Sequence, residues 1–594
     1  MLRSACVLAL TASLSAQSQT TWEYRFAVPL TPSRGMALEL SFDTGHGRGT
    51  DADVHVFVLD GPERDAFLMQ FPDAILVGRG QPFANFAFPA APDPGYYTTT
   101  EIVQELDALV AAYPGLCRRV SVSSLPGASL THNGASIWAL VVSDNVAVDE
   151  DEPAIVLASQ HHARELNSPH MVLRAAQRVL GGYAGVPALH ALVDDHEIWF
   201  VPCVNPDGVD HVWGVDNLWR KNRRSNGDGT FGVDLNRNYT SHYGLCGAST
   251  VTSSETYRGP FAASEPEVRT MRALIAYLRP QLYLDFHSYG QDVLATYAPC
   301  VTAGATIQGL IDRYVDDLRT PMNYARRAPS AAGESCEDHW ISNGTLSFLI
   351  EVGTAFQPAF SATVTEEARV WPGVQRALTT WKPALRGHVR SLRGGAPLQA
   401  TIGYSPNVFT FGEIDRSRAR DGRYSLWLPL GNWQVTFSAP GHDPVTRTIN
   451  VTGYDTPIGL DVDLVPTFVP ATLLKSGSDR VGTSVTFTYT APGDAGLGYW
   501  IPLSLGTVPG IAIGDRVLPL NGDALMVASL SLAPLLVDNL GVLSASESAV
   551  ATLHLPNDPA LAGITMFCGG VSFDPQFPLG VERWATPVQL TILP

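Results

Sequence analysis

Apolar and polar positions change their period twice along this chain. Near the start, Asp53 to Leu59 reads as a strand, Glu63 to Gln70 as a short helix and Ala74 to Val77 as another strand. These predict a small α/β unit, closed by the Pro- and Gly-rich stretch Pro89 to Gly95. At Thr98 the period becomes helical. Thr98 and Glu101 form a capping-box pair, and Ile102, Val103, Leu106, Leu109, Val110 and Tyr113 recur at helical spacing before Pro114. A second such pair, Ser264 with Glu267, is expected to open a helix with Val268, Met271, Leu274, Ile275 and Leu278 on its apolar face. Apolar runs alternate with amphipathic helices from here to about residue 386. That alternation predicts an α/β domain with a mixed, mainly parallel central sheet and helices on both faces. From Gly387 the helical period disappears, and alternating runs such as Tyr424 to Leu428 and Trp433 to Ser438 predict a β-sandwich to about Pro466, followed by a further β domain.

The expected organisation is therefore 1–16, 17–95, 96–386, 387–466 and 467–594. A chain of 594 residues must hold several hydrophobic cores. Charged residues make up only 16%, and 53 Gly with 43 Pro point to many turns, in keeping with a large β share. The formal net charge of −18, with no basic stripe alternating with aromatics, argues against nucleic acid as a partner. Residues 1–16 carry Arg3, the apolar run Ala5 to Leu10 and small residues before Gln17, which is the pattern of a signal peptide and implies a secreted protein. No other apolar run is long enough to span a membrane. Seven cysteines are present, none in a Cys-x-x-Cys spacing, so a cysteine zinc site is not supported and no disulfide pairing can be read.

Candidate chemistry sits at the ends of apolar runs. His162-Ala163-Arg164-Glu165 follows Ala154 to Ala158, and a His-x-x-Glu pair there can offer a nitrogen and an oxygen to one metal ion. Alone the pair is weak, since roughly one chance match is expected in a chain of this length. His287 ends the run Leu282 to Phe286 and would supply a third ligand; Glu351 ends the run Leu346 to Ile350. Open parallel sheets gather ligands outside the carboxyl ends of their strands, so these distant residues can converge. A lone Glu ending a buried run is unusual unless it is paired, because burying an unpaired charge is costly. Between them lie Trp219 to Arg224 and Gly232 to Asn238, whose arginines have the planar fork suited to a carboxylate or an oxyanion.

The segments His162 to Glu165, Asn205 to Gly208, Trp219 to Lys221, Asp234 to Asn238, Ser254 to Pro260, His287 to Tyr289 and Phe348 to Glu351 occur in an order that resembles the zinc metallocarboxypeptidases of the carboxypeptidase A type. The resemblance covers about residues 96 to 386. It implies that His162, Glu165 and His287 hold one zinc ion, and that Glu351 takes a proton from the attacking water and passes it to the leaving amine. It further implies that Arg220 stabilises the oxyanion, that Asn236 and Arg237 hold the terminal carboxylate of a peptide or protein, and that Arg164 meets residues further upstream. Asp234 would orient His162, and Tyr289 would line the substrate site. Counting back from Glu351 places Pro329 where the family has a mobile tyrosine, with Tyr324 the nearest substitute, and Cys336 at the base of the side-chain pocket. Cys336 implies neutral apolar ends, a one-residue shift to Glu337 implies Lys or Arg, and the acidic segment Glu334 to Asp338 disfavours acidic ends in either register. Residues 17–95 sit where relatives carry an inhibitory prosegment, an ordinary N-terminal domain being the alternative. Residues 387–466 resemble a transthyretin-like module, and the β modules are expected to serve an extracellular or cell-surface partner. Two other functions stay open: a zinc amidase acting on cell-wall peptides or N-acyl amino acids, and an inactive extracellular binding protein.

Overall fold

The computed structural model describes residues 21–42, 54–59, 61–80, 91–454, 456–467, 470–514, 516–575 and 578–594. The expected signal peptide at 1–16, Asp53 of the first expected strand, and Pro89 and Ala90 of the expected linker lie outside the described residues. The chain divides into two compact units, residues 1–464 and 465–594.

At the start of the first unit, Thr21–Arg25 pairs antiparallel with His55–Leu59 on one side and Ile75–Gly80 on the other. The helix Pro62–Gln70 lies where the periodicity places it. Tyr24, Phe26, Val56, Val58, Phe67 and Phe71 form the core of this small layer. The strand Thr21–Arg25 is an addition to the elements expected from the sequence.

The central sheet has eight strands in the order Ala325–Arg327, Asp292–Leu294, Leu346–Glu351, Leu282–His287, Ala154–Ser159, Glu197–Val201, Trp138–Val142, Cys117–Ser121. The four middle strands, from Leu346–Glu351 to Glu197–Val201, run parallel. Trp138–Val142 and Cys117–Ser121 add antiparallel on one side, and Asp292–Leu294 adds antiparallel on the other. The sheet is thus mixed, with its parallel part at the centre. The central runs are buried along their whole length, whereas the edge strand Cys117–Ser121 is half-exposed, as expected where only the centre is covered on both faces. Side-chain alternation delivers one strand to two cores: Ile155 and Leu157 join one apolar cluster, Val156 and Ala158 the other. The first face is covered by the helices Ser168–Gly182, Ala305–Met322 and Phe360–Thr380, the second by Pro266–Leu278.

The capping box at Thr98 forms as expected: Thr98 Oγ1 accepts from Glu101 N at 3.2 Å and Glu101 Oε2 accepts from Thr98 N at 2.9 Å. The one expected at Ser264 does not. Pro266 opens that helix, so Glu265 is its N-cap, and the Ser264 hydroxyl donates to Glu265 Oε1 at 2.6 Å while Glu267 accepts from Asn222.

After Leu385 two small sheets face each other. Leu385–Ser391 pairs with Arg423–Leu426, Ile458–Gly459 and Val462–Leu464, and Gly431–Ser438 lies between Thr401–Ser405 and Val445–Val451. Val389, Ile402, Leu426, Val435 and Phe437 are buried between them. The second unit is built from β sheets around its own core of Val485, Phe487, Tyr489, Ile501 and Leu590. A disulfide joins Cys246 to Cys300, and Cys117, Cys203, Cys336 and Cys568 are free and buried. Among the described residues no helix is long and apolar enough to cross a membrane.

Candidate metal centre

His162 follows the strand Ala154–Ser159, while His287 and Glu351 end the strands Leu282–His287 and Leu346–Glu351. These three strands are parallel neighbours, and Glu351 and His287 are register partners. Three side chains from distant parts of the chain thus leave the same edge of one sheet. His162 Nδ1 lies 2.7 Å from Glu165 Oε1 and 3.1 Å from His287 Nδ1, and His287 Nδ1 lies 3.1 Å from Glu165 Oε2. All three side chains are buried, and their donor atoms fall within 4.8 Å of one another. Two imidazole nitrogens and one carboxylate, converging in a buried site, fit a zinc ion with a fourth position left for water or substrate.

Asp234 secures this cluster from behind. Its Oδ1 is 3.1 Å from His162 Nε2, and its Oδ2 accepts from Arg220 Nε at 3.0 Å and Nη2 at 2.8 Å. Burial alone would raise the Asp234 carboxyl, but Arg220 and His162 hold it well below the usual range. Arg220 Nη1 lies 3.9 Å from Glu165, so the guanidinium borders the metal cluster. Glu351 is pushed up to about 7 by burial and by the Glu165 charge, against the pull of His287, Arg327 and Arg220.

The remaining expected residues fall into two groups around this centre. Asn236 Oδ1 accepts from Ser335 N at 2.8 Å, and Arg237 donates to Gly247 O at 3.1 Å and to Glu334 Oε1 at 3.2 Å. Arg164 donates to Glu255 Oε2 at 3.0 Å and stacks over Phe356, on which Tyr289 also packs edge-on. Cys336 is buried in an apolar cluster with Leu235, Tyr239, Leu294 and Leu349. Glu337 is turned elsewhere, accepting from His242 Nδ1 at 2.9 Å and Ala298 N at 2.9 Å. The Tyr324 hydroxyl donates to Glu366 at 2.5 Å.

The sequence reasoning missed Arg327 and Asp292. Arg327 Nη2 lies 3.5 Å from Glu351 Oε1, and its Nε lies 3.4 Å from Asp292 Oδ2. Three adjacent strands bring these residues together, and Gly290 permits it: a Cβ there would sit 2.9 Å from Asp292 Oδ2 and 3.3 Å from Glu351 Cβ. Nothing local in Ala325-Arg326-Arg327 signals the role. Asp285 was readable, as a carboxylate inside the otherwise apolar run Leu282 to Phe286.

Residues 102–361 match the family model Peptidase_M14, described as zinc carboxypeptidase. A zinc carboxypeptidase of Saccharothrix mutabilis subsp. capreolus is 34% identical over 264 residues, covering 43% of this chain and 58% of that protein. Carboxypeptidase A2 of Rattus norvegicus is 33% identical over 279 residues, covering 46% and 63%. The match thus spans less than two thirds of either relative. The solved carboxypeptidase A from Helicoverpa armigera covers 61% of this chain and 98% of that one, at 20% identity and a TM-score of 0.48.

Proposed function

We propose that this chain is a secreted zinc metallocarboxypeptidase that hydrolyses the last peptide bond of peptides or proteins with a free C-terminal carboxylate. The observation that carries this reading is the convergence of His162, Glu165 and His287, with Glu351 at the end of the adjoining strand. Bound to those three residues, zinc would polarise the scissile carbonyl and lower the pKa of the attacking water. Glu351 would take the water's proton and deliver it to the leaving amine, a role suited to a carboxyl held near neutrality. Arg220, fixed by Asp234, would face the developing oxyanion. Asn236 and Arg237 would hold the terminal carboxylate, and Arg164 and Tyr289 would meet upstream residues.

A panel of peptides that differ only at the C-terminus tests this. Free acids are expected to be cleaved far faster than amides, since an amide offers Arg237 no substrate carboxylate to pair with. Equal rates would favour the amidase reading instead. Cys336 and Leu349, buried in one apolar cluster, support a preference for apolar ends, as does the engagement of Glu337 by His242 and Ala298. kcat/KM is therefore expected to be higher for terminal Phe or Leu than for Lys or Glu. A strong Lys preference would overturn this choice.

Residues 17–95 are proposed to be an inhibitory prosegment. In support, Phe57 of the N-terminal layer packs against Phe356, beside Leu218 and Tyr289, where Arg164 also stacks. The Cys246–Cys300 disulfide suits an oxidising compartment. Exported protein is expected to begin at Gln17 by mass spectrometry, and limited proteolysis that removes 17–95 is expected to raise activity. Unchanged activity after complete removal would make this segment an ordinary domain.

A further inference from the structure

His162 and His287 turn their Nδ1 atoms toward Glu165 and each other, which leaves each Nε2 on the outer side of the cluster. For His162 that outer nitrogen meets Asp234. For His287 it meets a different carboxylate: Nε2 lies 3.4 Å from Asp285 Oδ2. Asp285 stands two residues earlier on the same strand, and the period of two places both side chains on one face. The same Oδ2 lies 3.2 Å from His161 Nδ1 and accepts from the Ser335 hydroxyl at 2.5 Å. His161 Nε2 lies 2.8 Å from the Tyr239 hydroxyl. Asp285, His161, His287, Tyr239 and Ser335 are all buried. A carboxylate so enclosed is costly unless its charge is answered, and its partners here are two imidazoles and a hydroxyl.

We infer that Asp285 is a positioning residue for His287: its carboxylate accepts the Nε2 proton, fixes the tautomer whose Nδ1 lone pair faces the metal, and is itself held by His161 and Ser335. The inference rests on the reading of His162, Glu165 and His287 as the metal centre. Each histidine ligand would then have its own carboxylate, Asp234 for His162 and Asp285 for His287. The Ser335 backbone N–H also donates to Asn236 Oδ1, so the element that holds Asp285 holds a proposed substrate residue as well.

The test is zinc affinity, measured by competition with a chelator on the full chain. Asp285→Asn keeps the size of the side chain but places an amide donor where the Nε2 proton should be accepted. The zinc dissociation constant is expected to rise about ten- to a hundredfold, with one zinc per chain still bound at saturation. An unchanged constant would overturn the inference. So would two zinc ions per chain in the unsubstituted protein, because His161, Asp285 and His287 are also close enough to act as ligands themselves. Unsubstituted protein that takes up no zinc would overturn the metal centre instead. Should Asp285→Asn fail to fold, imidazole 15N NMR of the unsubstituted zinc-loaded protein decides: the His287 proton is expected on Nε2, and its absence there would overturn the assignment.

Discussion

Glu351→Gln is expected to lower kcat by about two orders of magnitude or more while zinc content and fold are kept. The amide has nearly the shape of the carboxyl group but cannot accept a proton from water. Glu351 is fitted for that transfer by its surroundings. Burial and the Glu165 charge push it up to about 7, close to the pH at which a base must both accept and release a proton. Arg327, 3.5 Å away and braced by Asp292, holds one carboxyl oxygen in place. Glutamine leaves Arg327 with its Asp292 partner, so the substitution does not strand a buried cation. Turnover of free-acid peptides, with metal analysis of the same sample, checks the result. A variant with full zinc and near wild-type kcat would remove Glu351 from its role as base.

Features of this site differ in how far they could be read from sequence, and the difference follows the range of the interactions. The Thr98 capping box depends on residues three apart, so its pattern was sufficient. The Ser264 pattern was equally local but met Pro266, which moved the helix start and left Glu265 and Glu267 to partners from elsewhere, His132 and Asn222. His162, His287 and Glu351 were legible because each sits at the end of an apolar run, and the parallel centre of the sheet brings such ends together. Arg327 sits on a three-residue strand near the edge of the sheet, and its meeting with Glu351 depends on strand order, which no local period encodes. The Cys246–Cys300 pair is separated by 54 residues and was closed to sequence for the same reason. Counting from Glu351 left two registers for the side-chain pocket, and the contacts of Glu337 with His242 and Ala298, both remote from it in sequence, were closed to either count.

His287→Ala is expected to lose most of its zinc, and activity with it, which sets it apart from Glu351→Gln. Removing one of three protein ligands leaves His162 and Glu165, three residues apart on one segment, with no donor from the neighbouring strand. The loss extends behind the metal. His287 also answers the Asp285 charge, so alanine leaves that buried carboxylate with His161 and Ser335 alone and opens a space beside it. Leaving a buried polar group without one of its partners costs about 1–3 kcal/mol, so the metal-free variant is expected to melt below the metal-free parent as well as to bind zinc poorly. The two effects separate by measurement. Metal analysis after dialysis against a weak chelator reports the ligand role, and thermal unfolding of both metal-free forms reports the Asp285 contact. Full zinc occupancy in His287→Ala would exclude this histidine from the site. Equal melting temperatures with zinc lost would keep it as a ligand and show that Asp285 is held by its other two partners.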